Sequence, residues 1–173
     1  MPEVILVTGG ARSGKSRFAL RRALTYKERI FLATAEPLDD EMRRRIEHHR
    51  KEREGLFSTV EEPRNLSRAI KNVPSDTEVI LIDCLTVWLG NLMHHYGSEA
   101  DHFPEIASFL ETLKKPPCDI IAVTNEVGLG IVPGDPLSRA YRDHAGNLNQ
   151  AVAALAQEAY LLVSGMPLTL KGK

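Results

Sequence analysis

"VILVTGGARSGKS", Val4 to Ser16, decides how the rest of the chain is read. Val4–Thr8 is apolar without polar alternation, as in a strand covered on both faces. Gly9, Gly10, Ala11, Arg12, Ser13, Gly14, Lys15 and Ser16 then fit G-x-x-x-x-G-K-[ST], and a helical pattern opens at Ser16. The backbone N–H groups of such a loop surround phosphates, and the helix dipole adds positive potential. Lys15 is expected to reach the β- and γ-phosphates, and the Ser16 hydroxyl to bind Mg²⁺. A glycine-rich turn with no ligand would need this strand–loop–helix context to be coincidence.

Working outward, "IFLAT" (Ile30–Thr34), "VILID" (Val79–Asp83), "DIIAVT" (Asp119–Thr124) and "AYLLVS" (Ala159–Ser164) repeat the buried-strand pattern. "LFSTVE" (Leu56–Glu61) is a weaker sixth, and "PLTLK" (Pro167–Lys171) is a hairpin partner after a turn at Gly165. Helices are expected over Ser16–Lys27, Asp39–Arg53, Pro63–Asn72, Leu85–His95, Phe103–Lys114 and Pro136–Glu158, with a possible bend at Gly146. Strand–helix alternation of this kind predicts a three-layer α/β fold with a mostly parallel sheet. With 173 residues and no evident linker or repeat, one domain over 1–173 is expected.

Asp83 ends an apolar strand, where a carboxylate commonly supports Mg²⁺ in phosphate-loop enzymes. On its own it would equally serve as a turn or helix cap. A formal charge of -1 argues against a general nucleic-acid binder. Cys84 and Cys118 suggest neither a disulfide framework nor a metal cluster. No signal layout and no bilayer-length apolar run are present, so a cytoplasmic protein is expected. A regulatory GTPase would carry N-K-x-D, which "TNEVG" (Thr124–Gly128) lacks; "DHAG" (Asp143–Gly146) falls inside a helical pattern.

"RRRIEHHRKER", Arg43 to Arg53, holds six basic residues in eleven and two adjacent histidines. On a helix, Met42, Ile46 and His49 share one face. His48 lies ~200° from Ile46 and points away, among Arg44, Arg45, Lys51 and Glu52. Neutral imidazole is a competent nucleophile toward activated phosphate, and nearby cations disfavour its protonation. Spacing alone still favours the plainer reading, a solvated basic helix with incidental histidines.

"ILVTGGARSGKSRFA", "DDEMRRRIEHHR", "TNEVGLGIVPGDPLSRAYRDHAGNLNQ" and "LLVSGMPLTLK" together resemble the bifunctional adenosylcobinamide kinase / adenosylcobinamide-phosphate guanylyltransferase family of cobalamin biosynthesis. The likeness runs from Val4 to Lys171. It implies a RecA-like fold and a homotrimer. It implies phosphorylation of adenosylcobinamide by ATP or GTP, then transfer of GMP from GTP to adenosylcobinamide phosphate through a guanylyl-histidine. The products would be adenosylcobinamide-GDP and pyrophosphate. The family's "RI-x-HH" places that histidine at His48. By the same resemblance Thr34, Ala35 and Glu36, then Arg50, Lys51, Glu52 and Arg53, and Glu61 or Glu62 lie at nucleotide-contacting positions. Arg139 and Arg142 would shape the corrinoid-facing surface or a subunit contact, or simply form a solvated helix face. The rival expectations are a phosphate-loop kinase without transferase activity and a non-catalytic nucleotide-binding module.

Overall fold

The computed structural model describes residues 1–172 except 38–39, 41–42, 45–46, 48–49, 52–54 and 98–99. Seven strands form one sheet: β1 (Val4–Gly9), β2 (Arg29–Ala33), β3 (Ser58–Glu61), β4 (Val79–Asp83), β5 (Asp119–Val123), β6 (Glu158–Val163) and β7 (Met166–Lys171). Their order across the sheet is β3-β2-β4-β5-β1-β6-β7. Every pairing is parallel except the β6–β7 hairpin.

The uninterrupted apolar strands are explained by cover on both faces. Val4 and Leu6 of β1, Ile80 and Ile82 of β4, and Ile120 and Ala122 of β5 enter one core. Their neighbours Ile5, Val7, Val79, Leu81, Ile121 and Val123 enter the other. Strand side chains alternate with a period of two, so both halves of each strand are apolar because both faces are dry. Helix α1 (Lys15–Ala23) covers the second face through Ala19 and Ala23. Helices α2 (Leu66–Lys71), α3 (Leu85–Tyr96), α4 (Pro104–Lys114) and α5 (Pro136–Leu155) cover the first. This is the expected three-layer arrangement. The weaker "LFSTVE" signal has its reason here: β3 is an edge strand, and Ser58, Thr59 and Glu61 are exposed.

Several helix ends depart from expectation. Helix α1 stops at Ala23 rather than Lys27, where Thr25 Oγ1 donates to the Arg22 carbonyl at 2.8 Å and turns the chain. Helix α5 stops at Leu155 rather than Glu158, because pairing with β1 captures the residues that follow. The Gln157 N–H donates to the Val4 carbonyl (2.8 Å), the Val4 N–H donates to Gln157 Oε1 (2.7 Å), and Glu158 pairs with Ile5. Gly146 lies within α5, which runs unbroken past it. Shorter than its sequence pattern, α2 begins after Asn65, whose Oδ1 accepts the Arg68 N–H at 2.9 Å. Within the "RRRIEHHRKER" segment, the described residues Arg43, Arg44, Glu47, Arg50 and Lys51 are helical and exposed.

Trp88 anchors the larger core. It is fully buried, meets Phe109 edge-on at 5.1 Å, and donates its indole N–H to the Arg64 carbonyl at 2.6 Å. Trp88→Ala removes the largest buried side chain and should cost about 3–5 kcal/mol of unfolding free energy, read as a lower urea midpoint.

Candidate nucleotide-binding site

All six parallel strands end on one side of the sheet, and the phosphate loop, Thr34, Glu61 and Asp83 follow or close strands there. In open α/β sheets ligands bind at the strands' carboxyl ends, where neighbouring connections diverge. Strand β1 is such a place, between β5, reached late in the chain, and β6.

The loop after β1 is built by close approach. Gly9 has φ 150°, and a Cβ there would meet the Leu162 carbonyl oxygen at 2.5 Å. Gly14 has φ 96°, and a Cβ there would meet Gly165 Cα at 3.1 Å. Only glycine meets both demands, conformation and room. The Gly165 N–H donates to the Ser13 carbonyl at 2.8 Å, which ties the loop to the β6–β7 turn. The Glu126 N–H donates to the Gly9 carbonyl at 3.0 Å, tying it to the segment after β5.

Inside this curve Lys15 is buried, its Nζ donating to the Gly10 carbonyl at 2.6 Å. Burial lowers its pKa below the ordinary lysine value, while Cys84 and Asp83 pull the other way. The Ser13 Oγ is buried with no hydrogen-bond partner among the described residues. A buried cation and an unsatisfied hydroxyl around a glycine-built curve fit an anion that supplies the missing acceptors. Ser16 and Asp83 offer hard oxygen donors suited to Mg²⁺, which binds through one or two protein oxygens plus substrate phosphate. Among the described residues no group of three or more His, Cys, Asp or Glu could hold a metal by itself.

Behind the site, side chains lock the strand ends together. Thr34 Oγ1 donates to the Cys84 carbonyl and accepts the Cys84 N–H, each at 2.9 Å, joining the ends of β2 and β4. Asn91 donates to the Thr34 carbonyl (2.7 Å), and Asn125 donates to Thr86 Oγ1 (2.9 Å). Asn149 accepts from Thr124 Oγ1 (2.7 Å) and donates to the Asn125 carbonyl (3.0 Å). Tyr141 donates its hydroxyl to the Thr86 carbonyl at 2.9 Å. A satisfied buried network of this kind fixes one geometry. The sequence reading had not identified Asn91, Asn125 or Asn149 as supports; their signal is a lone amide in an otherwise apolar context.

The other predicted residues divide. Thr34, Ala35 and Glu36 stand at the end of β2, with Thr34 buried and the others half-buried. Glu61 is exposed at the end of β3 and paired with Arg50. Glu62 turns to structure instead. Its Oε1 accepts the Arg64 and Asn65 N–H groups (3.0 and 2.9 Å), and its Oε2 accepts Arg68 (3.0 Å). Lys51 is exposed. His48, Glu52 and Arg53, along with His49, lie outside the described residues. Arg139 donates to the carbonyls of Pro133 and Gly134 (3.0 and 2.7 Å), bracing the loop before α5, and Arg142 pairs with Asp143. Cys84 and Cys118 are free and buried, as the reading without a disulfide requires. No helix among the described residues is long and apolar enough to cross a membrane.

The chain is similar to known proteins over nearly its whole length. A family model described as cobinamide kinase / cobinamide phosphate guanyltransferase matches residues 5–170. The bifunctional adenosylcobalamin biosynthesis protein CobU of Escherichia coli is 41% identical over 180 residues, spanning 97% of this chain and 99% of that protein. The bifunctional adenosylcobalamin biosynthesis protein CobP of Pseudomonas aeruginosa is 42% identical over 170 residues, spanning 97% of each. Among solved structures, the RadB recombinase superposes with a TM-score of 0.52 at 16% identity, over 92% of this chain and 73% of that one. An ATP synthase subunit, NeqB from Nanoarcheaum equitans, gives 0.51 at 10% identity, over 92% and 45%. These structural likenesses concern the fold alone and bear out the expected phosphate-loop α/β class.

Two outcomes follow for the site. Charged Lys15 costs folding stability while the pH is below its lowered pKa, and the cost fades as pH rises toward the ordinary lysine value. Lys15→Met should therefore melt at a higher temperature than the parent at neutral pH without nucleotide. It should also weaken triphosphate binding on the order of a hundredfold, and the parent's own affinity should fall as pH rises through the Lys15 pKa. Calorimetry across pH reads both effects. At Glu62, burial alone would raise the pKa, but the Asn65 and Arg64 N–H groups and Arg68 overcome it and hold the carboxyl below its usual range. Its stabilising contribution is present above the unfolded-state pKa and is lost as pH falls through the folded one. Glu62→Gln should thus cost about 1 kcal/mol at pH 7, and denaturation at decreasing pH should show the gap to the parent closing.

Proposed function

Because the chain belongs to the cobinamide kinase / cobinamide phosphate guanyltransferase family, we propose that its phosphate loop serves two successive transfers to one corrinoid substrate. In the first, the terminal phosphoryl of ATP or GTP passes to the aminopropanol hydroxyl of adenosylcobinamide. In the second, GMP from GTP is joined to the resulting phosphate, giving adenosylcobinamide-GDP and pyrophosphate. What supports this reading is buried Lys15 bonded within a glycine-built curve, in a chain similar to bifunctional relatives over nearly its whole length.

For the kinase step the protein's work is positioning and charge. Loop amides between Gly9 and Ser16 orient the phosphates, and the Lys15 ammonium meets charge spreading over the transferred group. Mg²⁺, held by Ser16 and Asp83, would neutralise phosphate charge when bound. For the transferase step the His48 imidazole attacks the α-phosphorus of GTP, forming a P–N bond as the bond to pyrophosphate breaks. The phosphate of adenosylcobinamide phosphate then attacks the same phosphorus, exchanging the P–N bond for P–O and freeing the imidazole. Loop amides and Lys15 receive the charge that grows on the leaving pyrophosphate.

The basic segment supplies the surroundings this chemistry needs. Arg44, Arg50 and Lys51 are exposed on a helical stretch flanking His48 in sequence, where cationic side chains suit phosphate oxygens. We assign the nucleotide-facing carboxylate to Glu61, since Glu62 spends both oxygens on its own turn and on Arg68. A homotrimer and a cytoplasmic location complete the proposal on the strength of the family resemblance.

Incubation with α-labelled GTP and Mg²⁺ should leave label on the protein, labile to acid and stable to alkali as a phosphoramidate. His48→Ala should abolish it, and His49→Ala should retain most of it. Label persisting in the His48 variant would move the nucleophile elsewhere. Transfer of γ-label to adenosylcobinamide with no GMP adduct would reduce the protein to a kinase.

A further inference from the structure

A groove of about 540 Å³ runs between α3 and α5. Gly90, exposed His94 and Gly97 line its α3 side, and Leu137 and Tyr141 form the α5 wall. Glycine keeps it open: a Cβ at Gly97 would meet nothing within 4 Å, and one at Gly90 only Tyr141 Cε2 at 4.0 Å. The Tyr141 ring is held in place by its hydroxyl, which donates to the Thr86 carbonyl.

Among the described residues the lining holds no Asp, Glu, Lys or Arg. Leu137 also belongs to an exposed apolar stretch leading into α5, where Leu129, Ile131 and Val132 are each more than half exposed. Arg139 braces that stretch through the carbonyls of Pro133 and Gly134. An apolar patch beside a groove of small-molecule size marks a binding surface. His94 is the one side-chain nitrogen among the described lining residues. It makes no hydrogen bond or ion pair among the described residues. Its neighbour His95 is engaged instead, with Nδ1 3.2 Å from Arg64 Nη1 and its ring 4.9 Å from that of Tyr96. A free imidazole over an uncharged groove suits an apolar-faced ligand that carries a metal with an exchangeable axial position.

We propose that this groove seats the corrin ring of adenosylcobinamide, with an imidazole nitrogen of His94 ligating its cobalt. The proposal rests on the corrinoid reading above and adds where, and by which face, the ring binds. The cobalt of adenosylcobinamide carries the adenosyl carbon on one axial side and water on the other. In ligation the nitrogen lone pair replaces that water, which leaves to solvent; the oxidation state of cobalt and the cobalt–carbon bond are unchanged. Histidine is a common axial ligand for a metal held in such a macrocycle. The aminopropanol arm projects from the water-bearing face, so this orientation turns its hydroxyl toward the protein. His94 is nine residues beyond Leu85, the first residue of α3, or roughly 14 Å along the helix. That distance is within the span of a corrin ring and its propionamide–aminopropanol arm. The ring sits in the groove while the arm reaches toward the end of β4 that carries Asp83.

Adenosylcobinamide titrated into the full chain without nucleotide tests this through the corrin absorption spectrum. On binding to the parent, the spectrum should change from the water-ligated to the nitrogen-ligated form. His94→Ala should keep the water-ligated spectrum and bind about 10-fold more weakly, whereas His95→Ala should behave like the parent. Gly90→Met fills the groove with a better helix former than glycine. It should raise the KM for adenosylcobinamide about 10-fold and leave that for ATP unchanged. A bound corrinoid that stays water-ligated, or nitrogen ligation that survives His94→Ala, would overturn the proposal. So would a Gly90→Met variant with altered oligomeric mass and intact corrinoid affinity, since a second copy of the chain would then be what covers the groove. Parent protein that neither binds adenosylcobinamide nor phosphorylates it would overturn the corrinoid reading beneath.

Discussion

A lysine ammonium taken out of water at the mouth of a parallel sheet is the constraint around which this molecule is arranged. Lys15 is buried, and its only protein hydrogen-bond acceptor among the described residues is the Gly10 carbonyl. A buried cation is costly without compensating anions and acceptors. Cys84 and Asp83 favour its charge, yet desolvation remains the larger influence. Stability is held back at this point for an anion that completes the site. The geometry follows from that need: glycines where β1 and α1 meet the hairpin, and a carboxylate at the end of β4.

Such a site works only if the strand ends hold still, and the buried polar network supplies that rigidity. Thr34 bridges β2 to β4, Asn91 fixes Thr34 from α3, and Asn149 of α5 holds the segment after β5. The same segment touches the loop through Glu126 and Gly9. Electrostatic catalysis depends on dipoles that are oriented before the charge develops. In this fold the orienting groups lie one layer behind the phosphates, on helices whose apolar faces are already locked into the larger core.

How much of this could be read from the sequence depended on whether the signal was local. The phosphate loop is a contiguous motif, and the five buried strands announce themselves because both of their faces are dry. The edge strand β3, with exposed Ser58, Thr59 and Glu61, gave a weak pattern for the same reason. Helix α5 read three residues too long, since what ends it is capture of Gln157 and Glu158 by β1, a contact between distant parts of the chain. Glu61 and Glu62 looked equivalent until the turn onto α2 separated them. Asn125 and Asn149 are 24 residues apart and become partners only in the fold. His48 and His49 were distinguished by helical periodicity and family pattern alone, and the described residues stop on either side of them.

The central claim, one loop serving two transfers with a histidine carrying GMP between them, meets its most direct test in a chase. Protein guanylylated with α-labelled GTP is freed of nucleotide and then given adenosylcobinamide phosphate. The account predicts that label leaves the histidine and appears in adenosylcobinamide-GDP, with no further GTP required. Label that stays on the protein, or departs only as free GMP, would contradict it.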